Sequence, residues 1–117
     1  MTYVNGFLLA VPNAKKEAYL EMARKVVPIF KKYGALRLVE NWGVDVPEGK
    51  VTSFPMATKQ QDDETVVFSW IEWPSKDVAD EGTKKTMEDP ALAGEGDNMP
   101  FDGMRMMWGG FETILDE

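Results

Sequence analysis

The chain contains neither cysteine nor histidine. The two absences together exclude disulfides, thiolate chemistry, Cys/His zinc sites, Ser-His-Asp triads and His-ligated haem. Any chemistry falls to carboxylates, hydroxyls, Lys, Arg, Tyr or a bound cofactor. Basic residues are scarce, 13 Lys and Arg against 20 Asp and Glu, so the net charge of -7 repels phosphate backbones and anionic lipid surfaces. Nucleic acid and membrane are therefore not expected as partners. No apolar run approaches the roughly 18 to 20 residues of a membrane span, and Met1 to Val11 lacks the basic start and small-residue cleavage site of a secretory signal. A cytoplasmic location is expected.

What is present is a chain of 117 residues with 44% apolar and 28% charged side chains, the size and composition of one globular domain spanning residues 1–117. Met1 to Val11 reads as a strand stopped by Pro12, with Asn13 as the cap of a helix carrying Ala18, Tyr19, Met22, Ala23, Val26, Val27, Phe30 and Tyr33 at helical spacing. Gly34 ends that helix. Pro28 lies inside it and costs about 3 kcal/mol unless the helix bends, so a kink is expected. From Ala35 to about Val46, Leu36, Leu38, Trp42, Val44 and Val46 recur with the period of two of a strand. Pro47 to Lys50 reads as a turn, and Val51 to about Thr58 as a short extra strand at an edge, where Pro55 is tolerated.

Glu64 to Trp73, rich in β-branched and aromatic residues, is the clearest strand. Ser75 caps a second helix with a thin apolar face of Val78, Ala79 and Met87, expected to fray at Gly82. Asp89 to Gly103, with its prolines and glycines and the acidic pair Glu95 and Asp97, reads as a surface loop or cover. Arg105 to about Ile114 is the last strand, in which Gly109-Gly110 marks a bulge or a close approach. The order is that of a ferredoxin-like βαββαβ α+β sandwich with an extra short strand. Apolar residues on both faces of the strands leave a second sheet face to be covered, most economically by a second copy, which gives a homodimer with a shared α/β barrel.

Several segments carry a family resemblance. Tyr33-Gly34-Ala35-Leu36, Val39-Glu40 with Trp42-Gly43 and Asp45-Val46-Pro47, Gly49-Lys50 with Thr52-Ser53-Phe54, Glu64 to Ile71 with Trp73-Pro74-Ser75-Lys76, and Pro100-Phe101-Asp102-Gly103 with Arg105-Met106 and Gly109-Gly110-Phe111 resemble the YbaA-like family of small bacterial proteins. The resemblance covers almost the whole chain. It implies a dimeric α/β barrel of ferredoxin-like protomers and no established activity, cofactor or catalytic residue. The wider superfamily holds cofactor-independent oxygenases, haem-degrading enzymes, isomerases and plain binding domains, so the fold supports a pocket and not a particular reaction.

Glu40 stands out because the strand period sets it on one face with Leu36, Leu38, Trp42 and Val44. A carboxylate among apolar neighbours takes a raised pKa or a cationic partner, as a general base or a ligand anchor requires. Arg105 is a candidate partner, and a purely structural Glu-Arg pair is the plainer alternative. Trp42, Trp70, Trp73 and Trp108 all fall on strands, where they serve core and dimer packing or line a pocket for a flat organic ligand, with Trp42 and Trp70 as candidate lining residues. Asp45 and Ser53, with Lys50 and Thr52, surround the turn after the second strand and are candidate ligand contacts if a dimer brings them to a barrel mouth. Turn chemistry accounts for Asp45 and Asp102 equally well.

Neither a compact carboxylate cluster nor a phosphate loop is present, so no metal and no cofactor is expected. The methionines near the end of the chain fill core gaps or the dimer seam. Three readings survive: a homodimeric small-molecule-binding protein or cofactor-independent enzyme of oxygenase or isomerase type, carried by Glu40, Trp42, Trp70 and Arg105; a non-enzymatic interaction or regulatory module; and, against the charge, RNA association.

Overall fold

Hydrogen bonding between strands far apart in sequence builds one four-stranded antiparallel sheet in a computed structural model that describes residues 2–92 and 99–117. The strands are β1 (Tyr3–Pro12), β2 (Arg37–Trp42), β3 (Glu64–Trp73) and β4 (Met107–Glu112), in the order β2-β3-β1-β4. Between them lie helices α1 (Lys16–Lys32), α2 (Phe54–Thr58) and α3 (Lys76–Glu88). The long central pair β1 and β3 is in register from Tyr3↔Trp73 to Pro12↔Glu64, so ten rungs of backbone pairing fix which side chains share a face.

One face carries Phe7, Leu9 and Val11 from β1 and Val67, Ser69, Ile71 and Trp73 from β3. The helices cover it. Phe30, Ala35, Ile71, Trp73 and Ala79 form one core cluster, Leu9, Val11, Tyr19 and Val67 a second, and Phe7 packs against both. Helix α1 runs through Pro28 to Lys32 and is closed by Gly34 at φ +113, where the Gly34 N–H donates to the Lys31 carbonyl at 3.2 Å and the Ala35 N–H to the Phe30 carbonyl at 3.0 Å. These are the two bonds of a glycine-terminated helix end, with Ala35 and Phe30 meeting in the core as its apolar contact. Asn13 does not cap α1. It sits in a 3-10 turn (Asn13–Lys15), and its side-chain oxygen accepts a bond from the Thr65 hydroxyl.

Helix α3 begins as expected, with the Ser75 hydroxyl accepting from the Val78 N–H at 3.2 Å. Gly82 does not fray. It is buried, and a Cβ there would meet the Trp73 ring at 2.8 Å and closer, together with the Tyr33 carbonyl oxygen at 2.5 Å. The missing side chain is what lets α3 approach the core.

The segment read as a short extra strand is instead α2. Ser53 caps it, accepting from the Met56 N–H at 3.1 Å, Pro55 occupies its first turn where no N–H is needed, and Lys59 closes it in the left-handed region at φ 52. Strand β2 also ends sooner, since after the Gly43 N–H bonds the Val66 carbonyl at 2.9 Å the chain leaves the sheet and Val44 is exposed. In β4 the glycines fall in continuous register, Gly6↔Gly109 and Asn5↔Gly110, without a bulge. The close approach is real, because a Cβ on Gly110 would collide with the Tyr3 phenol. Glu95 and Asp97 lie outside the described residues.

The other sheet face carries Val4 and Leu8, Phe68 and Trp70, and Met107 and Phe111. Helix α2 reaches only part of it, laying Phe54 against Phe68 at 6.0 Å between ring centroids, and Phe54, Phe68, Met107 and Phe111 remain exposed.

Candidate functional site

Glu40 lies on the helix-covered face of β2, opposite Ser69 in the pairing with β3. Two residues to either side on the same face are Leu38, packed on one core cluster, and Trp42, packed on the other. The carboxylate therefore sits at the seam between the two clusters. Its partner comes from α1: the Tyr19 hydroxyl, on a residue 4% exposed, donates to Glu40 Oε1 at 2.6 Å. Burial raises the Glu40 carboxyl above the ordinary carboxylate value, and the hydroxyls of Tyr19 and Ser69 only partly oppose it. Burial first, then the Glu40 charge, pushes the Tyr19 phenol far above the usual tyrosine range, so it remains a hydrogen-bond donor.

Around this pair the chain places rings and one cation. Phe101 meets Tyr19 edge to face at 5.8 Å, and Lys16, in the first turn of α1, holds its ammonium 5.0 Å from the centre of the Trp42 ring. The arrangement is a carboxyl in a low-dielectric setting, backed by two hydroxyls and flanked by an indole. Such a group accepts a proton or anchors a hydrogen-bond donor on an organic ligand.

The other candidate residues fall elsewhere. Arg105 does not meet Glu40; its guanidinium grips Glu64 with both terminal nitrogens at 2.7 Å, donates from Nε to Asp102 at 3.0 Å and from one terminal nitrogen to the Lys59 carbonyl at 2.9 Å. It ties the start of β4 to the start of β3 and the end of α2. Trp70 lies on the opposite face from Trp42, where its indole N–H donates to Glu72 at 2.9 Å and its ring packs on Phe68 at 5.5 Å. The two tryptophans do not line one pocket.

Ser53 is occupied as the cap of α2, and Asp45 is exposed beyond the end of β2. Their segment forms one wall of an open cleft of about 380 Å³, the wall being made by Gly43, Val44, Val46 and Glu48. Asp102 accepts from the Met104 N–H at 3.0 Å, the local turn bond expected of it. Among the described residues no group of three or more acidic side chains converges as a metal site. Sequence reasoning missed Ser69, Lys16 and the Tyr19–Glu40 bond. Ser69, the one small polar residue inside an apolar run, was the available signal.

The raised value of Glu40 makes a stability statement. A carboxyl whose folded pKa exceeds its unfolded one binds more protons in the native state, so its contribution is fully present at lower pH and is lost as pH rises from the unfolded carboxylate value through the folded Glu40 value. Glu40→Gln is expected to flatten that slope, read as thermal midpoints over a pH series. An unchanged slope would place the titrating group elsewhere.

Four antiparallel strands in the order β2-β3-β1-β4, with α1 and α3 on one face, define a ferredoxin-like α+β protein. Solved structures share that fold. A putative antibiotic biosynthesis monooxygenase from Nitrosomonas europaea aligns over 97% of this chain and 90% of its own at 15% identity with a TM-score of 0.54. A dimeric ferredoxin-like protein from an uncultured marine organism aligns over 99% and 98% at 9% identity and 0.57. SnoaB, a cofactor-independent oxygenase from Streptomyces nogalater solved as a point mutant, aligns over 98% and 93% at 17% identity and 0.51. The chain belongs to the DUF1428 family of proteins of unknown function, whose model matches residues 2–103. It is 59% identical over 117 residues, all of both chains, to the uncharacterized protein YbaA of Escherichia coli strain K12, and equally to that of Shigella flexneri.

Proposed function

We propose that the protein is a homodimeric small-molecule-binding protein that carries out cofactor-independent acid–base chemistry on a flat, electron-rich organic ligand at Glu40. The observation that carries this reading is the Glu40 carboxyl itself, held by Tyr19 at 2.6 Å with its pKa raised by burial. In its ionised form it takes a proton from an acidic C–H or O–H of the ligand, and Tyr19 and Ser69 stabilise the carboxylate before the transfer. The fold shared with a cofactor-independent oxygenase supports a ligand that, once deprotonated, itself supplies the electrons to dioxygen, because such a reaction has no cofactor to supply them. An isomerase would use the same proton transfer without oxygen.

The homodimer is supported by the exposed apolar sheet face and by the dimeric ferredoxin-like neighbour. Trp42, beside the carboxylate, is the ring expected to lie against the ligand; Trp70 belongs to the dimer half of the reading, on the face to be covered.

The test is oxygen uptake and product formation with a panel of flat, electron-rich polycyclic phenols as probes. Activity is expected to rise as pH passes through the Glu40 value, and Glu40→Gln to lower it about a hundredfold with the dimer intact. A Glu40→Gln protein that keeps full activity, or a wild-type protein that neither binds nor turns over these acids, overturns the reading.

A further inference from the structure

Strands β2 and β4 are the two edges of the sheet. Edge backbone groups seek a strand beside them. Because β2 is antiparallel to β3, β3 to β1 and β1 to β4, β2 and β4 run in opposite directions. A second copy rotated about an axis along the strands therefore brings its β4 beside β2 in the antiparallel sense. The same rotation pairs the other two edges, closing a ring of eight strands with the apolar faces inside. This deepens the homodimer half of the reading above and rests on it.

One end of those edges carries matched chemistry. The Thr113 N–H donates to the Thr2 carbonyl at 3.0 Å, so residues 113–117 leave the sheet at the end where β1 begins. Arg37, the first residue of β2, shares a cross-sheet row with Glu72, Val4 and Phe111, so it lies at that end too. Within one copy the two are three strand spacings apart, about 14 Å. In the ring, the second copy's segment runs alongside.

The segment exposes Ile114 at 86% and Leu115 at 72% and carries Asp116 and Glu117, just after Glu112. The receiving edge exposes Leu36 at 50%, with the Arg37 side chain 61% exposed beside its Glu72 partner and Lys31 and Lys32 in the basic last turn of α1. In such a ring apolar groups would face apolar groups, and Asp116 and Glu117 would face Arg37, Lys31 and Lys32, the last already paired with Asp89 at 3.4 Å, in a chain whose overall charge otherwise repels its copy. We propose that residues 113–117 of one copy dock along the start of β2 in a second copy, as paired clasps that hold the dimer shut. A second copy is the occupant because one rotation seats both clasps and covers Phe68, Trp70 and Phe111.

The native chain has no cysteine, which makes cross-linking clean. Leu36→Cys and Ile114→Cys proteins, made separately, allowed to exchange subunits and treated with a short bismaleimide, are expected to give a covalent dimer as a mixture and none alone. A chain ending at Thr113 is expected to show a dimer dissociation constant raised about tenfold by sedimentation. A dimer that sediments as one but gives no cross-link in the mixture overturns the clasp and leaves the homodimer standing. A monomer at all concentrations overturns the homodimer itself, and the clasp with it.

Discussion

Trp73→Ala is expected to destabilise the fold by about 3–5 kcal/mol, a large share of what a domain this size has to lose. Trp73 is fully buried, the largest such side chain in the protein, with Phe30 edge to face at 6.1 Å and its indole N–H donating to Asn5 at 2.7 Å. Truncation opens a cavity between sheet and helices and leaves the Asn5 oxygen without its donor. The same ring explains Gly82. Gly82→Ala drives a methyl group into the outer edge of the indole, expected to cost about 1–3 kcal/mol. In a Trp73→Phe background, where those outer ring atoms are gone, Gly82→Ala should cost less, though the Tyr33 carbonyl still crowds the position. Denaturant midpoints for the four proteins measure the cycle. Costs that simply add would mean that helix α3 is not seated on Trp73.

The long elements were legible because their patterns have one physical reading. The apolar spacing of Tyr19, Ala23, Val26 and Phe30 fits only a helix face, and the β-branched and aromatic run from Glu64 to Trp73 fits only a buried strand. Phase between strands was not legible. Strand β3 is apolar on both faces, so nothing local says that Trp70 points away from the face shared by Trp42 and Glu40; only the register Val39↔Trp70 and Glu40↔Ser69 decides it. Helix α2 is not legible because five residues are too few for periodicity to separate helix from strand, and its cap Ser53 and Pro55 serve equally as turn and edge signals.

Gly82 shows the same limit from the other side. A helix-interior glycine is a weakness by propensity, and only the neighbouring Trp73 turns it into a requirement. Within the candidate site, the face of Glu40 followed from the period of two, whereas its partner did not. Tyr19 reads as an ordinary core position, and the segment that delivers Arg105 to Glu64 leaves no periodic trace.

Removing Glu64 is expected to cost on the order of 3 kcal/mol, because it breaks a bidentate pair whose carboxylate side chain is only 4% exposed. The cost sits at the lower end for a buried pair, since Arg105 keeps Asp102 and the Lys59 carbonyl. Glu64→Ala should therefore loosen the junction of α2, β3 and β4 while the dyad of Glu40 and Tyr19 stays formed. Its pH signature runs opposite to that of Glu40. The Arg105 guanidinium holds the Glu64 carboxyl below the ordinary carboxylate value. That contribution is fully present above the unfolded carboxylate pKa and is lost as pH falls through the folded one. Wild-type stability is thus drawn down at acid pH by protonation of Glu64 and at higher pH by ionisation of Glu40. Thermal midpoints measured for wild type, Glu64→Ala and Glu40→Gln over one pH series separate the two. Glu64→Ala should shrink the acid limb, leaving the part that belongs to Asp89 and Asp102, whose hydrogen bonds from Tyr33 and Arg105 also hold them below the ordinary carboxylate value, and Glu40→Gln should flatten the upper limb. An acid limb undiminished in Glu64→Ala would assign the acid sensitivity wholly to other carboxylates and leave the pair a geometric tie.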